Sequence, residues 1–267
     1  MLFKQTKCPN CGAYHDQTLK ECPYCHKSNE LFSLNRLPKD VLFLHPLAQI
    51  SMFLIGFAYF GMFFGQIIFS LIFAKAPLSS DGKNTAILTA SYFLMLIGLI
   101  IVPLFTRRKA FADTFKKGQN YFYGIIYATI LFGVASLVLS IVSLMHEALP
   151  NVNQEGAEKI IENYPIIAFI VLGFVGPICE ELTYRVGLYS LLRRINKYLA
   201  LIVTTIVFAL IHFDFTAANI IEELWSLPSY LICGLILTLA YERHGPISSI
   251  IAHIAYNVIA IVLILAK

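Results

Sequence analysis

The sequence predicts an all-α fold: a polytopic membrane helix bundle of about seven spans, preceded by a small cytosolic cysteine-rich module. Three observations predict it. Hydrophobic residues make up 58% of the 267 and charged residues only 13%, far from the usage of a soluble chain. Apolar runs longer than about 18 residues, enough to cross a hydrocarbon core of about 30 Å, recur from residue 46 onward. Residues 1–40, by contrast, are polar and contain four of the six cysteines.

The module comes first, at residues 1–27. Cys8-Pro-Asn-Cys11 and Cys22-Pro-Tyr-Cys25 form two Cys-x-x-Cys knuckles on a segment too short to build its own core. Thiolates at that spacing close a tetrahedron on zinc, whose binding energy then folds the segment. A structural zinc held by Cys8, Cys11, Cys22 and Cys25 is therefore expected, in the manner of a zinc ribbon. His15 and His26 are spectators, because four sulfurs complete the shell. Cys179 and Cys233 sit in apolar segments, so the cysteines do not form a secreted disulfide framework, and a reducing compartment fits. No cleavable leader is apparent, which keeps the N-terminus, expected to be cytosolic. The net charge of +4 reports membrane topology, and nucleic acid is not an expected partner.

Residues 28–45, with Pro38, read as a linker. The spans expected beyond it are 46–74, 86–105, 121–145, 166–192, 198–213, 227–241 and 247–265. The first three, within 46–145, form an accessory unit, and 165–265 forms a core. Orientation follows from the basic residues. With the N-terminus inside, Lys4, Lys7, Lys20, Lys27, Arg36, Lys39, Arg107, Arg108, Lys109, Lys116, Lys117, Arg185, Arg193, Arg194, Lys197 and Arg243 fall inside. Only Lys75, Lys83, Lys159 and Lys267 fall outside. The outer loops are acidic, with Glu147, Glu155, Glu158 and Glu162 in one and Asp214, Glu222 and Glu223 in another. A multi-pass protein of the cell membrane is expected.

Ionisable side chains at membrane depth cost at least about 2.5–3.5 kcal/mol each, so they face a protein interior and have partners. They come here in three groups: Glu180, Glu181 and Arg185; Phe208 and His212; His253 and Asn257. Glu181 with Arg185, Phe208 with His212 and His253 with Asn257 are each spaced i, i+4, which puts both members on one helical face. Measured from the cytosolic ends, Glu180 lies about 20 Å deep, His212 about 21 Å, Asn257 about 17 Å and His253 about 10 Å. A desolvated carboxylate acts as a general base on water, with an imidazole orienting that water. A second histidine and an amide donate to an oxyanion. Arg185 would hold Glu181 ionised. These are the parts of a peptide hydrolase without a serine or cysteine nucleophile. Cys179, Tyr184, Tyr189 and Tyr256 read as packing residues.

Glu-Glu-x-x-x-Arg, Phe-x-x-x-His and His-x-x-x-Asn, in that order in membrane helices, resemble the CPBP family of CAAX-processing and bacteriocin-processing proteases, also called the Abi family. The resemblance covers roughly residues 165–265. It implies an intramembrane glutamate endopeptidase acting on a peptide or protein substrate at the lipid bilayer. In that reading Glu180 with His212 activates water, His253 with Asn257 forms the oxyanion site, Glu181 and Arg185 support them, and Phe208 packs beside them. No cofactor is expected in the catalytic site. Eukaryotic relatives cut prenylated CAAX proteins, while bacterial relatives serve peptide maturation and bacteriocin immunity. Other readings stay open: a non-catalytic adaptor or immunity protein whose ribbon recruits a cytosolic partner, a metal site made of the histidines and glutamates, and a proton-coupled transporter.

Overall fold

The structure, a computed structural model, describes residues 5–16, 19, 21–27, 38–57, 60–146 and 151–266. Most of the expected linker, at 28–37, lies outside the described residues, as do Lys4, Lys20, Arg36, Glu147 and Lys267 of the charge pattern. The N-terminal unit is an antiparallel pair, β1 (Gln5–Lys7) with β2 (Tyr14–Asp16), in which Lys7 lies opposite Tyr14.

The rest of the described chain is helical. The helices are α1 (Pro46–Gly56), α2 (Phe60–Phe73), α3 (Ser80–Thr114), α4 (Gly118–Met145) and α5 (Val152–Asn163). They continue with α6 (Pro165–Arg193), α7 (Lys197–Leu210) and α8 (Ile220–Leu265). Among the described residues α3, α4, α6 and α8 are the four helices long and apolar enough to cross a membrane. Hydropathy alone reveals neither where the backbone breaks nor that α7, at the expected span 198–213, runs for only 14 residues, and these account for the difference from the expected seven. The stretch 46–74 is divided at Phe57, whose backbone is extended (φ −60°, ψ 129°). The last two expected spans both fall within α8, which breaks at Gly245 (φ 77°, ψ −172°) just before Pro246. The expected outer loop also holds α5, a short amphipathic helix that buries Ile161 and is N-capped by Asn151, whose Oδ1 accepts from the Gln154 N–H at 2.9 Å.

α6 carries the costly charges and is the most enclosed helix. Its apolar window is 61% buried, against 28% for α3, 28% for α4 and 33% for α8. Enclosure is what intramembrane charge demands. Small residues permit it: a Cβ placed on Gly187 would lie 2.8 Å from the Phe53 nitrogen, so α1 approaches α6 closely.

The basic ends of the helices gather around residues 38–45. Lys117 Nζ donates to Asp40 Oδ1 at 2.5 Å, Arg194 donates to the Leu44 carbonyl, and Arg107 donates to the Phe43 carbonyl at 3.4 Å. Val41, Leu42 and Leu44 are buried in the main hydrophobic cluster. Beneath them Glu242 accepts from Tyr189 Oη at 2.7 Å and Arg193 Nε at 3.0 Å, so Tyr189 is a hydrogen-bond donor as well as a packing residue. Gly245 has a positive φ, and any Cβ there would collide with the Asp40 carbonyl. Gly245→Ala should therefore cost about 1–3 kcal/mol. Denaturation of the full chain in micelles checks this, and an unchanged midpoint would contradict it.

Candidate intramembrane active site

Pro177 sets the local geometry of α6. It has no N–H, so it leaves Gly173 without an α-helical donor and Leu172 without a π-helical one. The chain is π-helical at Val171–Val175, where the Gly176 N–H reaches the Val171 carbonyl. The Leu172 carbonyl instead accepts from Asn257 Nδ2 of α8 at 2.9 Å. A second π-helical stretch, Glu181–Tyr189, follows directly after Glu180. The two widened stretches lie on either side of Glu180, and Glu181 opens the second.

Glu181 is 1% exposed and Arg185 fully buried. Glu181 Oε1 lies 2.9 Å from Arg185 Nη1 and also 2.9 Å from His253 Nδ1. Arg185 Nη2 donates to the Gly234 carbonyl at 3.2 Å, and its guanidinium lies 4.3 Å from the centre of the Phe208 ring. Because Glu181 accepts at Nδ1, the His253 ring turns Nε2 toward Glu180, 3.9 Å from Oε2. That gap exceeds a hydrogen bond. Glu180 Oε2 is buried with no hydrogen-bond partner in the protein.

His212 follows the end of α7 and sits in the turn beyond it. Its Nδ1 lies 2.9 Å from the Phe208 carbonyl. A carbonyl can only accept, so that nitrogen carries the proton and Nε2 is left free. Phe208 joins the motifs: its ring meets Arg185, lies 5.1 Å from His212 and 6.0 Å from His253, and packs edge-on against Tyr184 at 5.8 Å. The structure thus brings together Glu180, Glu181, Arg185, Phe208, His212 and His253. Glu180 and His212 share no direct hydrogen bond among those described, and Asn257 contacts α6 about two turns before Glu180, at Leu172. Cys179 is fully buried and faces the Tyr92 carbonyl, with Sγ at 3.9 Å. Sequence reasoning had no signal for the Gly234 carbonyl, because a main-chain acceptor leaves no mark in residue type.

The four N-terminal sulfurs form a separate centre. They lie within 4.8 Å of one another, with Cys8 to Cys25 and Cys11 to Cys22 both 3.6 Å. The edge of a tetrahedral zinc–thiolate site is about 3.8 Å, so the residues fit a metal ion. The knuckles are built alike. Gly12 donates to the Cys8 carbonyl and His26 to the Cys22 carbonyl, each at 2.9 Å and each with positive φ. The Asn10 side chain, then the Lys27 backbone, draws the Cys25 thiol down to about 6. The backbone at Ala13 favours the Cys11 thiolate, but local desolvation and the neighbouring thiols outweigh it and push Cys11 up to about 12. Among the described residues no other group of three or more histidine, cysteine or acidic side chains brings its ligand atoms together for a metal.

Residues 162–259 match the family model for Type II CAAX prenyl endopeptidase Rce1-like, a segment that includes all three motifs. The chain is also similar to UPF0177 protein YxdF of Lactococcus lactis subsp. lactis, 27% identical over 61% of this chain and 87% of that protein. UPF0177 protein YvdC of the same organism is 25% identical over 68% of each chain. UPF0177 protein YbdJ is 41% identical over a shorter stretch, 32% of this chain and 34% of its own. No solved structure matches. These likenesses support the CPBP family, a family of membrane proteases.

Removing the Glu181 carboxylate would strand Arg185 in an apolar core, and breaking one side of a buried pair costs about 3–5 kcal/mol. Glu181→Ala should show that loss in unfolding in micelles; a change below about 1 kcal/mol would contradict the buried pairing. Metal analysis of the purified chain should find about one ion, lost when Cys8 and Cys22 become serine. An ion retained after residues 1–27 are deleted would contradict the assignment to the cysteines.

Proposed function

We propose that the protein is an intramembrane endopeptidase in which Glu180 is the general base, acting on a water molecule oriented by His212. One observation carries this reading. Glu180 Oε2 is buried with no hydrogen-bond partner and lies 3.9 Å from His253 Nε2, directly beside Glu181, whose Oε1 is engaged by Arg185 and His253. A carboxylate oxygen with no donor on it can take a hydrogen bond, and then a proton, from a water placed against it.

The water attacks the scissile carbonyl carbon as its proton passes to Glu180. The tetrahedral oxyanion is met by His253 and Asn257. With Nδ1–H directed at Glu181, His253 donates from Nε2 only as the imidazolium, which the adjacent carboxylates balance. Asn257 has its second amide N–H to offer, since the first serves Leu172. The carbon–nitrogen bond then breaks, and Glu180 returns its proton to the leaving amine. Glu181 and Arg185 hold His253 in place, and Phe208 keeps the rings apart and water-poor.

The substrate in this reading is a peptide or protein segment at the membrane, as in CAAX-type processing. The seven-span topology, with the N-terminus in the cytosol and the chain in the cell membrane, remains part of the proposal and is supported by the gathering of Arg107, Lys117, Arg193 and Arg194 at one end. The cysteine centre is a structural zinc ribbon that takes no part in hydrolysis and is free to receive a cytosolic partner.

Glu180→Gln preserves shape and removes the base. It should lower processing by about 10²-fold or more, as should His212→Ala, with normal insertion of both variants. Comparing membrane-peptide products from cells carrying wild type and each variant checks this. Products made at wild-type rates by Glu180→Gln would refute the hydrolase reading.

A further inference from the structure

Because His212 lies beyond the last residue of α7, helix geometry does not hold its ring. The Tyr230 ring lies against the imidazole with centroids 4.5 Å apart and planes 16° from parallel. Its hydroxyl accepts from Asn153 Nδ2 at 3.0 Å and lies 3.4 Å from Asn151 Nδ2. Asn151, 2% exposed, also donates to Ser226 Oγ at 2.9 Å while capping α5.

A buried acid ties down the backbone on the other side of His212. Glu223 is 1% exposed. Its Oε1 accepts from the Val152 N–H and its Oε2 from the Asp214 N–H, both at 3.0 Å. One carboxylate thereby joins the segment just after His212 to the start of α5. Charge-assisted bonds of this kind are short and directional, which suits an anchor. A stack on one face, a carbonyl at Nδ1 and a pinned backbone together leave Nε2 a single direction.

We propose that Tyr230 is a positioning residue for His212, with Asn151, Asn153 and Glu223 as its anchors. This rests on the reading of His212 as the residue that orients the attacking water. It also makes α5 a working part of the site, although Asn151 and Asn153 lie outside the segment 162–259 that matches the family model. Misplacing such a group by about 1 Å can cost about 10²-fold in rate.

The test uses the full chain in micelles with isotope-labelled histidine, His212→Gln identifying the signal. Tyr230→Leu should move the His212 Cε1–H resonance downfield, because the ring that shields it is gone, and leave His253 unmoved. Tyr230→Phe, which keeps the ring but loses the hydroxyl held by Asn151 and Asn153, should move the His212 signal less than Tyr230→Leu does and leave His253 in place. In cells, Tyr230→Leu should slow formation of the Glu180-dependent membrane peptides about tenfold or more, and Tyr230→Phe should slow it less. Asn153→Ala, at an exposed position, tests the anchor without threatening the fold and should shift the His212 signal in the same direction. An unmoved His212 signal in Tyr230→Leu overturns the proposal. So does a moved signal with wild-type processing. If Glu180→Gln processes normally, the hydrolase reading fails, and the His212 shift in Asn153→Ala, where the Tyr230 ring is retained, still decides whether the anchored tyrosine positions His212.

Discussion

The structure depends on one buried ion pair, Glu181 with Arg185. Two charges in an apolar bundle lose several kcal/mol each of solvation, which their mutual attraction offsets only with further polar partners around them; even so, Glu181 Oε2 and Arg185 Nε are buried here without a hydrogen-bond partner. Most of the core can be read as the answer to that demand. Gly234 supplies a carbonyl to the guanidinium, Phe208 supplies a ring face, and His253 supplies a second contact to the carboxylate. Each of these comes from a different part of the chain, so satisfying one pair draws α6, α7 and α8 together. The enclosure of α6 follows from the same requirement.

Next to this engaged pair stands Glu180, a neighbour in sequence and its opposite in environment. Adjacent glutamates on a helix point in different directions, so one faces Arg185 while the other faces the gap beside His253. The widened turn before Glu180 is tied to Pro177, which leaves the Leu172 carbonyl for Asn257 to satisfy. Asn257 therefore bears a structural duty along with the one proposed for it in the reaction. Removing it disturbs α6 as well as any oxyanion, and stability has to be measured beside activity to separate the two.

Much of the site was legible because lipid makes polar residues conspicuous. Glu181 and Arg185, four apart, do pair, although the turn between them is π-helical and the α-helical spacing rule was right for a reason it did not contain. Phe208 and His212 do meet, yet the helix ends before His212 and leaves it to be held from outside. Those holding groups were harder to see. Glu223 and Asn151 sit in a stretch whose acidity reads as an exposed loop, and only the fold turns them inward. Residues 41–44 likewise read as linker, because a short apolar run between polar neighbours carries no sign that it will dock beside Gly245. The two Cys-x-x-Cys knuckles needed no tertiary information, since spacing alone brings four sulfurs together.

The most direct measurement is the state of the His253 ring when its partner is changed. Nitrogen resonances of isotope-labelled histidine in the full chain report which ring nitrogen carries a proton and how well it is shielded from exchange. With Glu181 in place, His253 should carry a protected proton at Nδ1; with Glu181→Gln that protection should be lost while the His212 resonances stay where they are. A His253 ring indifferent to Glu181 would contradict the claim that the buried pair aims the site at Glu180.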